Sequence, residues 1–173
     1  IGILADQPLE GGAPDAPGTM RFRKFVQFLE RHQIPLLMVS NAPGFLPGTN
    51  QERLRIQQIG GESLDVNVCG RIPVVSFTLN QNFGGRQIHA FSRQLRPGVV
   101  AIALQQSILA VMGGPAAFDL FHGKEYGDLM KSGRSEEAIE LRKEFIAAFN
   151  EKARADQDAM NCGALDWTIP DLA

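Results

Sequence analysis

Catalytic signatures are what this chain of 173 residues lacks. It has no G-x-S-x-G elbow, no H-E-x-x-H, no Walker sequence and no G-x-G-x-x-G, which removes the usual serine-hydrolase, zinc-protease and nucleotide-binding readings. Cysteine is scarce: Cys69 and Cys162 have no C-x-x-C spacing and make no disulfide framework, so they read as buried free thiols in a reducing, cytoplasmic compartment. An excess of one charge is missing too. With 17 basic against 19 acidic side chains and a net charge of −2, there is no field for nucleic acid and no cationic face for a membrane. No apolar run approaches the ~18 residues of a membrane helix, and no leader is visible. The histidines His32, His89 and His122 lie far apart without ligand spacing, which predicts helix-surface or helix-end residues and no metal site.

What is present is an ordinary globular composition, 44% hydrophobic and 21% charged, at a length that suits a single domain over residues 1–173. Ile1 opens the chain inside a strand-like run, "IGILAD", as a piece of a longer chain would. After the Gly/Pro-rich "EGGAPDAPG", Phe22, Phe25, Val26 and Leu29 repeat at helical spacing, predicting a helix from Thr19, its N-cap, to His32. "IPLLMVSN", "PVVSFTLN" and "GVVAIAL" read as buried strands. Helices are expected over 51–68, after the Gly84-Gly85 pair with Ile88, Phe91 and Leu95 apolar, and briefly after Gly-Gly-Pro at 113–115. The longest helical pattern spans 135–155, capped at "SEE", with Ile139, Ile146 and Phe149 toward a core. "ALDWTIP" reads as a last strand or an extended arm. Strands alternating with helices predict parallel βαβ units in one α/β domain.

One backbone device recurs: a strand, two glycines, then a helix, at 80–88 and more weakly at 111–118. The first N–H groups of a helix have no partner inside it and carry a partial positive charge of about half a unit, so they can hold an anionic oxygen without a side chain. A glycine lets a ligand come close to those donors. Spacing alone also admits a plainer role for Gly84 and Gly85, tight packing of strand on helix. Phe45, Leu46, Phe83 and Phe91 sit in or near loops, where they serve either an interface or a cap over the domain's own core.

"IGILADQP", "IPLLMVSNAPGFLPGTNQE", "IPVVSFTLNQNFGGRQ", "AVMGGPAAF" and "NCGALDWTIP", in that order, resemble successive motifs in the C-terminal half of biotin-dependent acyl-CoA carboxyltransferase β subunits. The resemblance runs from Ile1 to Pro170 and is most specific at P-G-F-L-P-G followed by Q-E. It implies a crotonase-like fold, a superhelix of β-β-α turns. It also implies transfer of a carboxyl group between carboxybiotin, on a biotin carboxyl carrier protein, and the α-carbon of an acyl-CoA. An N-terminal half or subunit would bind the acyl-CoA, in an oligomer. The N–H groups of Gly85 and Arg86 would stabilise the ureido oxygen of biotin, with no side-chain base required. Pro43, Gly44, Phe45, Leu46, Pro47 and Gly48 would form a rigid wall for biotin, joined by Phe83, Gly84 and Ile88. The chain departs from the family pattern where Leu54 and Arg55 replace glycines, Gln58 and Ile59 replace Arg-His, Glu62 replaces Lys, Arg86 replaces Ala and Ile88 replaces Asp. Gln105 and Ile108 stand where Pro and Glu are expected. Two other readings stay open: a decarboxylase acting on a malonyl-type thioester, and a non-catalytic partner subunit with a degenerate site.

Overall fold

The computed structural model describes residues 1–7, 9, 11–155, 160–161 and 163–170. Strand β1, Gly2–Ala5, opens it, and helix α1, Ala16–His32, returns the chain to β2, Leu36–Ala42. Asp15, not Thr19, caps α1: its carboxylate accepts from the Gly18 N–H at 2.7 Å, while Thr19 is buried in the first turn. Pro17 lies in that turn, where its missing N–H costs nothing. The helix expected over 51–68 is two helices, α2 over Thr49–Arg53 and α3 over Ile56–Cys69, broken where Arg55 takes φ 60.

Strand β3, Val74–Phe83, is the longest, and helix α4, Gly84–His89, follows it without a linker. α4 stops early because Phe91 turns left-handed at φ 63; a 3₁₀ turn, Arg93–Leu95, then leads to β4, Val99–Leu104. Strand β5, Ile108–Ala110, was not expected from the sequence. The helix after Gly-Gly-Pro is not brief: α5 covers Gly114–Lys131, and α6, Ser135–Lys152, folds back against it. The tail does end in a strand, β6, Trp167–Ile169.

The sheet runs β1-β2-β3-β4-β6, all parallel, with β5 beside the far end of β3. β3 thus serves two ladders: residues 74–78 pair with β4, and 81–83 pair with β5. Leu36, Met38, Val74 and Val99 point to one face, where Phe22, Val26 and Leu29 of α1 meet them together with Phe91. The other face carries Ile3, Leu37 and Val75 in register, half-buried or exposed. Parallel sheets are usually covered on both faces; among the described residues the main core lies on one.

Burial decides one open choice and overturns other expectations. Phe83 and Phe91 are buried, so both serve the domain's own core. Ile139 is 56% exposed and the neighbouring Ala138 is buried instead, whereas Ile146 and Phe149 are half-buried. Ser135 does not cap α6, whose N-cap is Arg134 with no capping side-chain bond. Cys69 is free but exposed, and Cys162 lies outside the described residues.

Candidate functional site

The site is built on the corner where β3 becomes α4. Gly84 turns left-handed there, at φ 58, and a Cβ on it would stand 3.0 Å from the Val111 carbonyl oxygen, so any larger residue is strained. Phe83, just before it, is buried and anchored against Gly113. Gly85 differs from both. It is exposed, and a Cβ there would meet only the edge of the Phe45 ring, at 4.0 Å. The two readings of the glycine pair therefore divide between its members: Gly84 is the tight packing position and Gly85 is the open one.

Beside Gly85 lies an apolar hollow of about 290 Å³. Phe45 and His89 border it with Gly85 on one side, and Ile56, Gly60, Gly61 and Leu64 of α3 line the other. Helix-interior glycines cost roughly 0.5–1 kcal/mol each relative to alanine; here two in succession leave a gap in the α3 wall between Ile56 and Leu64. Phe45 is held edge-on to His89, with ring centroids 5.4 Å apart. The loop that presents it is shaped by Gly44 at φ 130 and Gly48 at φ 120, and the Gly48 carbonyl accepts the first amides of α2, from Gln51 and Glu52. Pro43 and Pro47 are exposed and do not line this hollow.

Leu46 faces the other way. Its N–H donates to the Pro14 carbonyl at 3.0 Å, and its side chain lines a second hollow, of about 590 Å³, between β1 and α1. Arg86 borders that second hollow, and His89 borders both.

The Arg86 side chain is the polar centre of the region. It is 2% exposed, and its Nη2 donates to Asp6 Oδ1 at 2.6 Å. The other oxygen of Asp6 accepts from Ser40 Oγ and from the Asn41 N–H, each at 3.0 Å. Arg86 Nη1 lies 3.0 Å from His89 Nδ1. Because guanidinium only donates, Nδ1 must accept, which puts the imidazole proton on Nε2, from where it is donated to Ser63 Oγ at 2.7 Å. Burial, and then the Arg86 charge, hold the His89 pKa down to about 3. His89 is therefore a neutral ring at neutral pH. It terminates α4 as a helix-end residue, yet it is buried rather than at the surface.

Of the residues singled out in the sequence, the fold brings Phe45 and Gly85 together at one hollow and directs Leu46 and Arg86 to the other. Ile88 is 48% exposed and borders neither hollow. Among the departures, Gln58 donates to Glu62 within α3 at 3.0 Å, and Glu62 pairs with Arg23, tying α3 to α1 outside the hollow. Asp6, Ser63 and His89 were not recognised as site residues. Asp6 carried one signal, an acid directly after a strand, at the carboxyl edge where parallel sheets bind ligands. Ser63 carried none.

The model of the carboxyl transferase domain family matches residues 1–170. The long chain acyl-coenzyme A carboxylase beta4 subunit of Mycobacterium tuberculosis, named as biotin-dependent, is 31% identical over 98% of this chain and 31% of its own length. The propionyl-CoA carboxylase beta chain of Roseobacter denitrificans is 32% identical over 74% of this chain and 25% of its own. Among solved structures, the hexameric transcarboxylase 12S with methylmalonyl-coenzyme A and methylmalonic acid bound superimposes with a TM-score of 0.81 at 26% identity, over 97% of this chain and 31% of that one. The chain thus spans about a third, or less, of the length of these relatives.

Proposed function

Because this chain belongs to the carboxyl transferase domain family, with the crotonase-like fold expected from its sequence, we propose that it is one component of an acyl-CoA carboxyltransferase. In this reading it moves a carboxyl group between carboxybiotin and the α-carbon of an acyl thioester. An acyl-CoA-binding half, in the same or another chain, completes the site. A biotin carboxyl carrier protein delivers the biotin, and the assembly is a cytoplasmic oligomer.

The observation that carries the reading is Gly85 at the rim of an apolar hollow. A ligand with a hydrocarbon ring system and one polar edge suits such a place: Phe45, Ile56 and Leu64 offer carbon surface, Gly60 and Gly61 leave room, and the first-turn amides of α4 supply donors. Carboxybiotin, when bound, supplies the transferable carboxyl group and a ureido oxygen on which negative charge develops. The N–H groups of Gly85 and Arg86 hold that oxygen, and a donor of this kind is worth about 3–4 kcal/mol as charge develops. His89 supplies no base, since its Nδ1 lone pair is taken by Arg86 and its Nε2 proton by Ser63. Its work is to support Phe45 and close the floor of the hollow.

The test is to assay the chain, with and without an acyl-CoA-binding half, on malonyl- or methylmalonyl-type thioesters with free biotin. Biotin-dependent carboxyl transfer is the expected result. Carbon dioxide release without biotin would make the protein a decarboxylase, and no turnover in any arm would make it a non-catalytic partner. Gly85→Ala keeps the N–H and should keep most of the rate, while Gly85→Pro removes it and should lower kcat about 100-fold or more.

A further inference from the structure

We infer that Asp6, Arg86, His89 and Ser63 form a positioning chain that holds the Gly84-Gly85 corner against α3 and thereby sets the width of the apolar hollow between them. None of these side chains needs to touch a ligand. Only the activity arm of the test below rests on the carboxyl-transfer reading.

α4 has six residues, too few to hold its place through its own hydrogen bonds. It is tied instead from outside. Arg86 binds Asp6 at the end of β1 at 2.6 Å. His89 binds Ser63 of α3 at 2.7 Å, and the Asn67 amide of the same helix donates to the His89 carbonyl at 2.8 Å. Ser76 of β3 donates to the Ala90 carbonyl, just past the helix, at 2.5 Å. Each tie falls close to a wall of the hollow. Arg86 follows Gly85 directly, and Ser63 precedes Leu64 and lies one turn or less from Gly60 and Gly61.

Stability alone is a poor reason for such an arrangement. A buried ion pair often adds no more to stability than apolar side chains of the same volume would, but its directional bonds admit one geometry only. Asp6 is oriented in turn by Ser40 and Asn41, so the chain of bonds runs from the sheet edge through α4 to α3.

The experiment compares the whole chain with Asp6→Asn/Arg86→Met and with Ser63→Ala, reading amide hydrogen exchange and thermal unfolding together. The double variant removes both charges and strands neither. At a temperature equally far below each midpoint, the Ala90 amide, which donates to the Arg86 carbonyl at 2.8 Å and so closes α4, should exchange at least tenfold faster than in the unaltered protein, with α5 and α6 unchanged. Ser63→Ala, which cuts only the His89 tie, should show the same local effect and covers the case in which the double variant does not fold. Exchange at Ala90 equal to the unaltered protein in the folded variants would overturn the inference, whatever the activity. In the reconstituted assay kcat should fall at least tenfold with KM for the acyl thioester little changed. Faster local exchange beside an inactive unaltered protein would sink the carboxyl-transfer reading and leave the positioning chain standing.

Discussion

Asp6 and Arg86 are 80 residues apart in the chain and 2.6 Å apart in space, joined across the end of the sheet with side chains 8% and 2% exposed. Removing one partner strands the other charge in a site with little water. Arg86→Met should therefore cost about 3–5 kcal/mol of unfolding free energy. Asp6→Asn/Arg86→Met should recover most of that loss. Urea unfolding at neutral pH measures both, and a double variant no better than Arg86→Met would show that the pair is not the source of the cost.

His89 makes stability depend on pH. Its pKa is near 3 in the folded chain against an ordinary 6.5, so below about 6.5 the unfolded chain takes up a proton that the folded chain refuses. The contribution is whole above pH 6.5 and is lost as pH falls toward 3, by about 1.4 kcal/mol per unit at the steepest. Between pH 7 and 5, where most carboxylates stay ionised, unfolding free energy should drop and the drop should shrink in His89→Gln. Denaturant titrations at pH 7, 6 and 5 decide it; parallel slopes for the two proteins would refute the assignment.

The two glycines of the corner should respond differently to alanine. Gly84→Ala forces a side chain into φ 58, 3.0 Å from the Val111 oxygen, and the left-handed backbone alone costs roughly 1–2 kcal/mol. Gly85→Ala gains an ordinary contact with Phe45, at 4.0 Å, and should leave stability within about 1 kcal/mol. A thermal midpoint lowered by several degrees in the first variant only is the expected outcome.

Gly61 offers the opposite sign. A Cβ there meets nothing within 4 Å, so Gly61→Ala should stabilise α3 by about 0.5–1 kcal/mol by restricting the unfolded chain. Equilibrium unfolding is the readout. A loss of stability would mean that the space beside α3 is filled by something the helix already leans on.

The strands from 36 and 74 and the helix from 16 to 32 were legible because their burial follows from local periods: alternation in the strands, and a stripe every three to four residues in the helix. The same reasoning slipped on α6. Ile139 has the period of a core residue but lies outward, while Ile146, seven residues on and in nearly the same phase, is half-buried beside Gly114 of α5. The break at Arg55 carries neither Gly nor Pro, so no local signal announced it. β5, three residues long, exists because β3 continues past its pairing with β4 and offers a second edge.

At the site, the residue order already contained the Phe45 loop and the diglycine corner, since both depend on φ angles that nearby Gly and Pro govern. The partners of that corner were decided only by the tertiary structure. Asp6, Ser63, Arg86 and His89 come from β1, α3 and α4, and their hydrogen bonds exist because the crossovers of a parallel sheet bring those elements to one edge. Short-range preferences shape each element; the burial that makes an ion pair and a neutral imidazole matter arises once the elements have closed over them.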